Sequence, residues 1–288
     1  MKLSTYYKQL TIIIVTYHSD LVENLIKQID RKIKIIIIEN SLRESIKKKL
    51  QSKYKNLKVI IPKKNLGVGG GINLGLKSTK TKYALHLSVD IKVGDKMISK
   101  LIESANQIKK FAIIVPREKK TNYPKNIFYN YKKNDKFHKI KFVAGYVMLF
   151  NMSQIKKIGY FDENIFLYFE EYDYFLRCKE KKLNLYLINK ALVNHFGHSS
   201  INRKFTHEIN LNRCWHYCWS KFYFYQKHYG YFYGLSKTFP NLIRALKYSV
   251  KYLVIGDFKQ VSLHISEIKG LLNSYFLMKS SRRPSINL

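Results

Sequence analysis

The reading of the fold turns on Ile33-Lys34-Ile35-Ile36-Ile37-Ile38-Glu39-Asn40-Ser41. Its run of isoleucines shows no alternation of apolar and polar positions, which is how a strand covered on both faces reads. Comparable β-rich runs lie at Thr11 to Tyr17, Leu57 to Ile61, Tyr83 to Val89 and Phe111 to Val115, with polar, helix-forming stretches between them. Strands alternating with helices predict an α/β sandwich: a mostly parallel sheet flanked by helices.

Local signals refine this outline. Ser41, with Glu44 three residues later, predicts a capping box that opens a Lys-rich helix to about Tyr54. Asp95 is placed to cap a helix through Met97, Ile98, Leu101 and Ile102, and Ser153 to cap one after the apolar run Phe142 to Phe150. Thr121 to Lys141, rich in Lys, Asn and Tyr, reads as a loop. After about Arg203 the texture becomes aromatic and basic, with Trp215, Trp219, Phe222 and Tyr223 at helical spacing and a break at Gly230. Tyr231 to Ile255 is apolar but interrupted by Pro240, Arg244, Lys247 and Lys251, so it suits a membrane interface or a packed helical flap better than a span. The expected organisation is an α/β domain over 1–203 and a helical region over 204–288.

The chain has 288 residues with 53 Lys and Arg against 19 Asp and Glu, a formal charge of +34. Such a charge repels itself unless an anionic partner offsets it: nucleic acid, an anionic membrane surface or a phosphate-bearing substrate. Lysines that merely decorate a solvated face are the alternative. Cys178, Cys214 and Cys218 are few, odd in number and without paired metal spacing, which suits a reducing compartment. Met1 to Tyr7 carries no signal-peptide core, and no uncharged apolar run is long enough to cross a bilayer. The expected location is cytoplasmic, at the inner face of the membrane.

In open parallel α/β sheets ligands bind beyond the carboxyl ends of the strands. Those ends carry Thr16-Tyr17-His18, Glu39-Asn40-Ser41 and Ser88-Val89-Asp90. The third strand leads into Asn65-Leu66-Gly67-Val68-Gly69-Gly70-Gly71-Ile72-Asn73-Leu74-Gly75, a glycine cluster that either approaches phosphates or serves only the fold. It is neither a Walker loop nor a dinucleotide fingerprint. Glu170, Glu171 and Asp173 crowd acids into a chain that has few. Clustering of this kind raises a carboxyl pKa and prepares a general base, although a helix amino terminus also favours acids. His195 and His198 follow a short apolar run.

Taken in order over Thr11 to Ser200, these segments resemble family 2 glycosyltransferases, in particular the rhamnosyltransferase-like and galactofuranosyltransferase-like branches; the Asn65 to Gly75 and Gly159 to Arg177 segments are the most specific. The resemblance implies a GT-A fold and inverting sugar transfer from a UDP- or dTDP-linked donor to a glycan or lipid-linked acceptor. Carried over by position, Thr16, Tyr17 and Glu39 hold the nucleotide, and Asn65, Gly69 and Asn73 border the sugar and diphosphate. Asp90 is the first acid of an Asp-x-Asp metal motif for Mg²⁺ or Mn²⁺, and His195 is a metal or diphosphate contact. Glu171 is the base, with Glu170 and Asp173 beside it. Lys92 stands where the second acid of the metal motif belongs, and its ammonium offers a different way to neutralise diphosphate. A catalytically degenerate scaffold is the competing expectation. A nucleic-acid-binding protein is disfavoured by the acidic trio and by the absence of a recognised motif.

Overall fold

A computed structural model describes residues 7–94, 96–108, 110–119, 121, 123–132, 135–142, 144–197 and 206–284. Asp95, His198, Ser199, Ser200 and the boundary near Arg203 lie outside the described residues. The chain divides into two compact units. One comprises residues up to Leu66, Gly70–Phe161 and the stretch from Tyr174 to the end of the last strand; the other comprises Gly67–Gly69, Asp162–Asp173 and the carboxyl-terminal helices.

The first unit is built on nine strands: β1 (Leu10–Thr16), β2 (Lys34–Glu39), β3 (Leu57–Ile60), β4 (Tyr83–Leu87), β5 (Ile91–Val93), β6 (Ile113–Glu118), β7 (Phe137–Ile140), β8 (Val147–Asn151) and β9 (Leu185–His195). They form one sheet in the order β3-β2-β1-β4-β8-β6-β9-β5, with β7 also paired to β9. Helices α1 (Val22–Ile26), α2 (Glu44–Lys53), α3 (Gly67–Lys77), α4 (Met97–Gln107) and α5 (Met152–Ile158) cover it, and α6 (Glu170–Glu180) precedes β9. Ile35, Ile36, Ile37 and Ile38 are all buried, as expected of a strand covered on both faces.

The α/β class stands, but the sheet is mixed. β3, β2, β1 and β4 are mutually parallel, as are β6 and β9, whereas β8 runs antiparallel to both β4 and β6, and β5 and β7 run antiparallel to β9. Every residue of β8 is buried, and a continuous apolar run reports coverage, not direction. The expected loop at Thr121 to Lys141 contains β7, whose four residues are too few to register as a pattern among Lys and Asn. β6 extends to Glu118 through Pro116; its register against β9 shifts just after the proline, a bulge of the kind that admits Pro in a sheet.

The capping expectations for Ser41 and Ser153 fail for identifiable reasons. Ser41 does not cap α2; its hydroxyl donates to the Glu39 carboxylate instead, and the cap position falls to Arg43 without a side-chain bond. At α5 the cap is Asn151, whose Oδ1 accepts from the Ser153 N–H at 3.3 Å; Ser153 is already inside the helix. At α4 the cap position is Lys96, in the left-handed region at φ 60°.

The glycine cluster is mainly helix rather than loop, because α3 begins at Gly67. A Cβ on Gly71 would lie 2.7 Å from Val15 Cγ1, and one on Gly75 would overlap Ile13 Cγ2. These two glycines therefore let the backbone of α3 lie directly on β1.

The second unit is dominated by α7 (Thr206–Tyr229), α8 (Tyr231–Ile255) and α9 (Phe258–Tyr275), which pack on one another around Trp215, Cys218, Trp219, Phe222, Ala245 and Leu271. Gly270 admits the Trp215 carbonyl where a side chain would collide with it. Among the described residues no helix is long and apolar enough to cross a membrane.

Gly75→Ala tests this packing by its sign. In an open helix interior the change stabilises by about 1 kcal/mol; here the methyl has no room beside Ile13, and overpacking costs about 1–3 kcal/mol. The midpoint of thermal unfolding is expected to fall, and an unchanged or higher midpoint would contradict the contact.

Candidate active site

In the first unit Thr16 and Glu39 end β1 and β2 as register partners. Glu39 is fully buried, and both its oxygens serve its own turn: Oε1 accepts from the Ser41 hydroxyl, and Oε2 accepts the Arg43 N–H at 2.7 Å. Its carboxylate thus shapes the loop after β2. The Thr16 hydroxyl is buried without a hydrogen-bond partner among the described residues. Asn40 closes the same corner, donating its N–H to the Thr16 carbonyl at 2.9 Å and accepting the Leu66 N–H on Oδ1 at 3.3 Å. That bond holds the turn at Asn65 against the end of β2. Tyr17 packs edge-on against the His18 ring, with centroids 4.6 Å apart. Burial, then the neighbouring Arg43, hold the His18 imidazole below its usual pKa.

Asp90 and His195 meet because β5 pairs with β9, setting Ile91 opposite His195, while the Phe196 N–H donates to the Asp90 carbonyl at 3.0 Å. Nε2 of His195 lies 3.5 Å from Oδ2 of Asp90. The hydrogen bond to Asp90 raises the imidazole pKa against the opposing effect of burial. Tyr146 stacks on the His195 ring at 4.4 Å and 11°, and donates its hydroxyl to Glu118 Oε2 at 3.1 Å. Tyr146 carries no motif by which the sequence could reveal it. Lys92 is exposed, opposite Asn194 on the same short strand.

Asp90 and His195 offer an oxygen and a nitrogen side by side, and among the described residues no group of three or more His, Cys, Asp or Glu is placed to hold a metal. This pair fits a hard divalent cation completed by water and diphosphate oxygens, not a closed all-protein site.

Asn73 departs from its expected place beside the diphosphate. It is fully buried on α3, where Nδ2 donates to the Phe161 carbonyl and Oδ1 accepts the Phe161 N–H, each at 2.9 Å. Both ends of the amide are committed to the backbone 88 residues away. Gly69 is buried in the first turn of α3, and Asn65 lies half-buried just ahead of that helix.

The acidic trio belongs to the second unit and does not act as one group. Asp173 is fully buried and accepts Lys227 Nζ at 2.6 Å and His228 Nε2 at 2.9 Å on the same oxygen. Lys227 also reaches Asp162 at 2.7 Å, and Tyr223 donates to Asp162 at 3.0 Å. Asp173 is therefore neutralised within an ion-pair network, which removes it from the expected base group. Glu170 and Glu171 each have an Oε2 without a hydrogen-bond partner among the described residues. Burial, then the neighbouring Glu171 charge, raise the Glu170 pKa well above the carboxylate range; burial raises that of Glu171. The two residues before the helix, Tyr168 and Phe169, both adopt positive φ, at 63° and 67°. Such strain in bulky residues persists only where surrounding structure imposes it. Lys227 and His228 lie 54 and 55 residues from Asp173, and no spacing rule links them.

The family model described as Glycosyl transferase family 2 matches residues 11–209. No curated protein sequence matches the chain significantly. Among solved structures, the mannosyltransferase PcManGT from Pyrobaculum calidifontis, in complex with GDP-Man and Mn²⁺, is similar at 10% identity and TM-score 0.57, over 94% of this chain and 88% of its own. GalNAc-T7, solved with UDP, GalNAc and Mn²⁺, is similar at 15% identity and TM-score 0.56, over 75% of this chain and 49% of its own. TarS of S. aureus aligns at 13% identity and TM-score 0.50, over 90% of this chain and 55% of its own. The chain thus spans about half the length of GalNAc-T7 and TarS. The shared fold is the GT-A type.

Substitutions separate Asp173 from Glu170. Asp173→Ala leaves Lys227 and His228 without their buried counter-charge and is expected to destabilise by about 3–5 kcal/mol. Glu170→Gln is expected to do the opposite at neutral and alkaline pH. A carboxyl with a raised folded pKa contributes its stability below the unfolded value, near 4.3, and loses it as pH rises through the folded value. Glutamine removes that loss, so the melting temperature of Glu170→Gln should exceed that of the parent at pH 8 and converge on it near pH 4.

Proposed function

The chain belongs to glycosyl transferase family 2, and we propose that it moves a sugar, with inversion, from a nucleoside diphosphate sugar to a hydroxyl of a glycan or lipid-linked acceptor. The observation that carries this reading is the contrast between its acids. Asp90 is paired with His195, whereas Glu170 is buried and Glu171 half-buried, both with raised pKa values and an unpartnered Oε2. Carboxyls in such different surroundings are suited to different roles.

Glu171 is assigned the base. It accepts the acceptor hydroxyl proton as that oxygen bonds to the anomeric carbon, while the bond to the diphosphate breaks and its electron pair leaves with the diphosphate. A base pKa lifted toward the working pH suits this step. Attack opposite the leaving group inverts the centre, without a covalent enzyme intermediate. Asp90 and His195 are assigned the diphosphate side; a divalent ion held there supplies charge neutralisation for the leaving group. Lys92 adds a cation on the same strand. Thr16, Tyr17 and Asn65 are assigned to the nucleotide sugar, with Gly69 and Glu39 shaping the turns around them. The family resemblance supports a UDP- or dTDP-linked hexose or deoxyhexose donor of the rhamnosyl or galactofuranosyl kind.

A peripheral position on an anionic, cytoplasmic membrane face is part of the proposal. Phe239, Ile243, Val250 and Val254 are exposed along one face of α8, and Arg244, Lys247 and Lys251 share that helix. This is the composition of an interfacial helix. Co-sedimentation with phosphatidylglycerol vesicles is expected, and Val250→Asp/Val254→Asp should abolish it; equal sedimentation of that variant would refute the membrane role.

The donor reading is tested by thermal unfolding with UDP, dTDP, GDP and CMP, each with Mn²⁺ or Mg²⁺ and again with chelator. A nucleotide at about a hundred times its dissociation constant stabilises by about 2.7 kcal/mol, or roughly 5 °C in a chain of this size. A selective shift is expected, and Glu171→Gln should retain it while losing turnover by about 10²–10⁴-fold. Absence of a shift with every nucleotide would favour the scaffold reading, which the replacement of the second metal acid by Lys92 motivates.

A further inference from the structure

The second unit exposes two apolar surfaces of different chemistry. The one on α8 is aliphatic and phenylalanine-rich, with Phe239, Ile243, Val250 and Val254. The other is almost wholly tyrosine. Tyr217, Tyr225 and Tyr229 recur along α7 at helical spacing around the buried Phe224, Tyr233 lies in the first turn of α8, and Tyr172 directly follows Glu171.

The rings are contiguous. Centroids lie 6.5 Å apart for Tyr172 and Phe224, 5.4 Å for Phe224 and Tyr225, 6.2 Å for Tyr225 and Tyr229, and 5.0 Å for Tyr229 and Tyr233. Their hydroxyls also sense one another. The Tyr172 pKa is raised by burial and then by Glu171, Tyr217 and Tyr225; that of Tyr225 by burial and then by Tyr233, Tyr217 and Tyr229. The band therefore runs from the Glu171 carboxyl to the start of α8. Its outer members stay open to water, with Tyr172, Tyr217, Tyr229 and Tyr233 between 41% and 51% exposed. Only Phe224 among its rings is buried, whereas Trp215, Trp219 and Phe222 of the same helix form the core of the unit. From Tyr217 to Tyr229 the helix rises roughly 18 Å, the length of a short oligosaccharide rather than of one sugar.

We propose that this tyrosine band is the subsite for the acceptor glycan, a chain of several sugars laid along the rings with its reacting end toward Glu171. The inference rests on the sugar-transfer reading above. A pyranose presents a C–H face, whose hydrogens carry partial positive charge, and a rim of hydroxyls. Tyrosine answers both, with the negative face of its ring and a phenolic hydroxyl that donates and accepts. A hydrocarbon chain needs no such rim, and the residues suited to it are those exposed on α8.

The test uses saturation-transfer NMR on the full chain, with chitotetraose, cellotetraose and maltotetraose as probes. Transfer to the ring C–H protons of at least one probe is expected. Tyr229→Ala/Tyr233→Ala should weaken its binding about tenfold or more, and Tyr229→Phe/Tyr233→Phe should keep most of it, because the ring faces remain. Both rings are exposed, so the melting temperature of the alanine variant should match the parent, which excludes misfolding as the cause. No transfer to any probe, or equal transfer in the alanine variant, would overturn the proposal, as would loss of vesicle binding with oligosaccharide binding intact. Nucleotide-induced stabilisation, measured on the same samples, separates the two readings. A nucleotide shift without oligosaccharide binding overturns the subsite alone; oligosaccharide binding without any nucleotide shift overturns the transferase reading.

Discussion

Helix α3 lies flush on β1, and much of the first unit depends on that contact. Gly71 and Gly75 remove the side chains that would hold the helix off Val15 and Ile13, so backbone meets strand directly. With α3 in that seat, Asn73 is carried into the interior, where both ends of its amide are satisfied by Phe161. A buried amide with either end unmatched would be costly, so this double bond fixes where the chain passes just before Asp162. Beside it, Asn40 binds the Leu66 N–H and sets the turn that leads into the helix. A segment whose glycines suggest a phosphate loop thus serves first as the joint of the fold.

Electrostatics divides the acids that sequence groups together. Asp173 accepts hydrogen bonds from Lys227 and His228 and so anchors α7 to the first turn of α6. Glu170 and Glu171, one helical turn or less away, receive no such partner on Oε2 and retain their protons to higher pH. Holding them there costs stability, and the two strained residues before the helix add to that cost. Local destabilisation is thus concentrated at one turn, inside a unit otherwise packed around tryptophan and phenylalanine.

Strand positions were legible because burial on both faces leaves an apolar run that needs no partner to be read; Ile35 to Ile38 is the clearest case. Direction was not, because β8 is as uniformly buried as the parallel strands around it. Caps were misread where a side chain had a better partner: the Ser41 hydroxyl meets the Glu39 carboxylate before it meets a helix. Asp90 was legible as a candidate from its place at a strand end and His195 only through the family resemblance, and their adjacency depends on a β5–β9 pairing across more than a hundred residues. The assignment of Asn73 to the diphosphate followed a motif and missed its use as a backbone clip. Tyr146, Lys227 and His228 carry no local signal, since each matters only through a residue distant in sequence.

The proposed reaction is inverting transfer from a nucleoside diphosphate sugar, with Glu171 as its base. Proton NMR of donor turnover, with water as the acceptor and a panel of UDP-, dTDP- and GDP-sugars, tests it most directly. The expected result is consumption of one donor, with nucleoside diphosphate released and the free sugar appearing first as the anomer opposite to that of the donor. Release with retained configuration, or no consumption of any donor in the panel, would contradict the account.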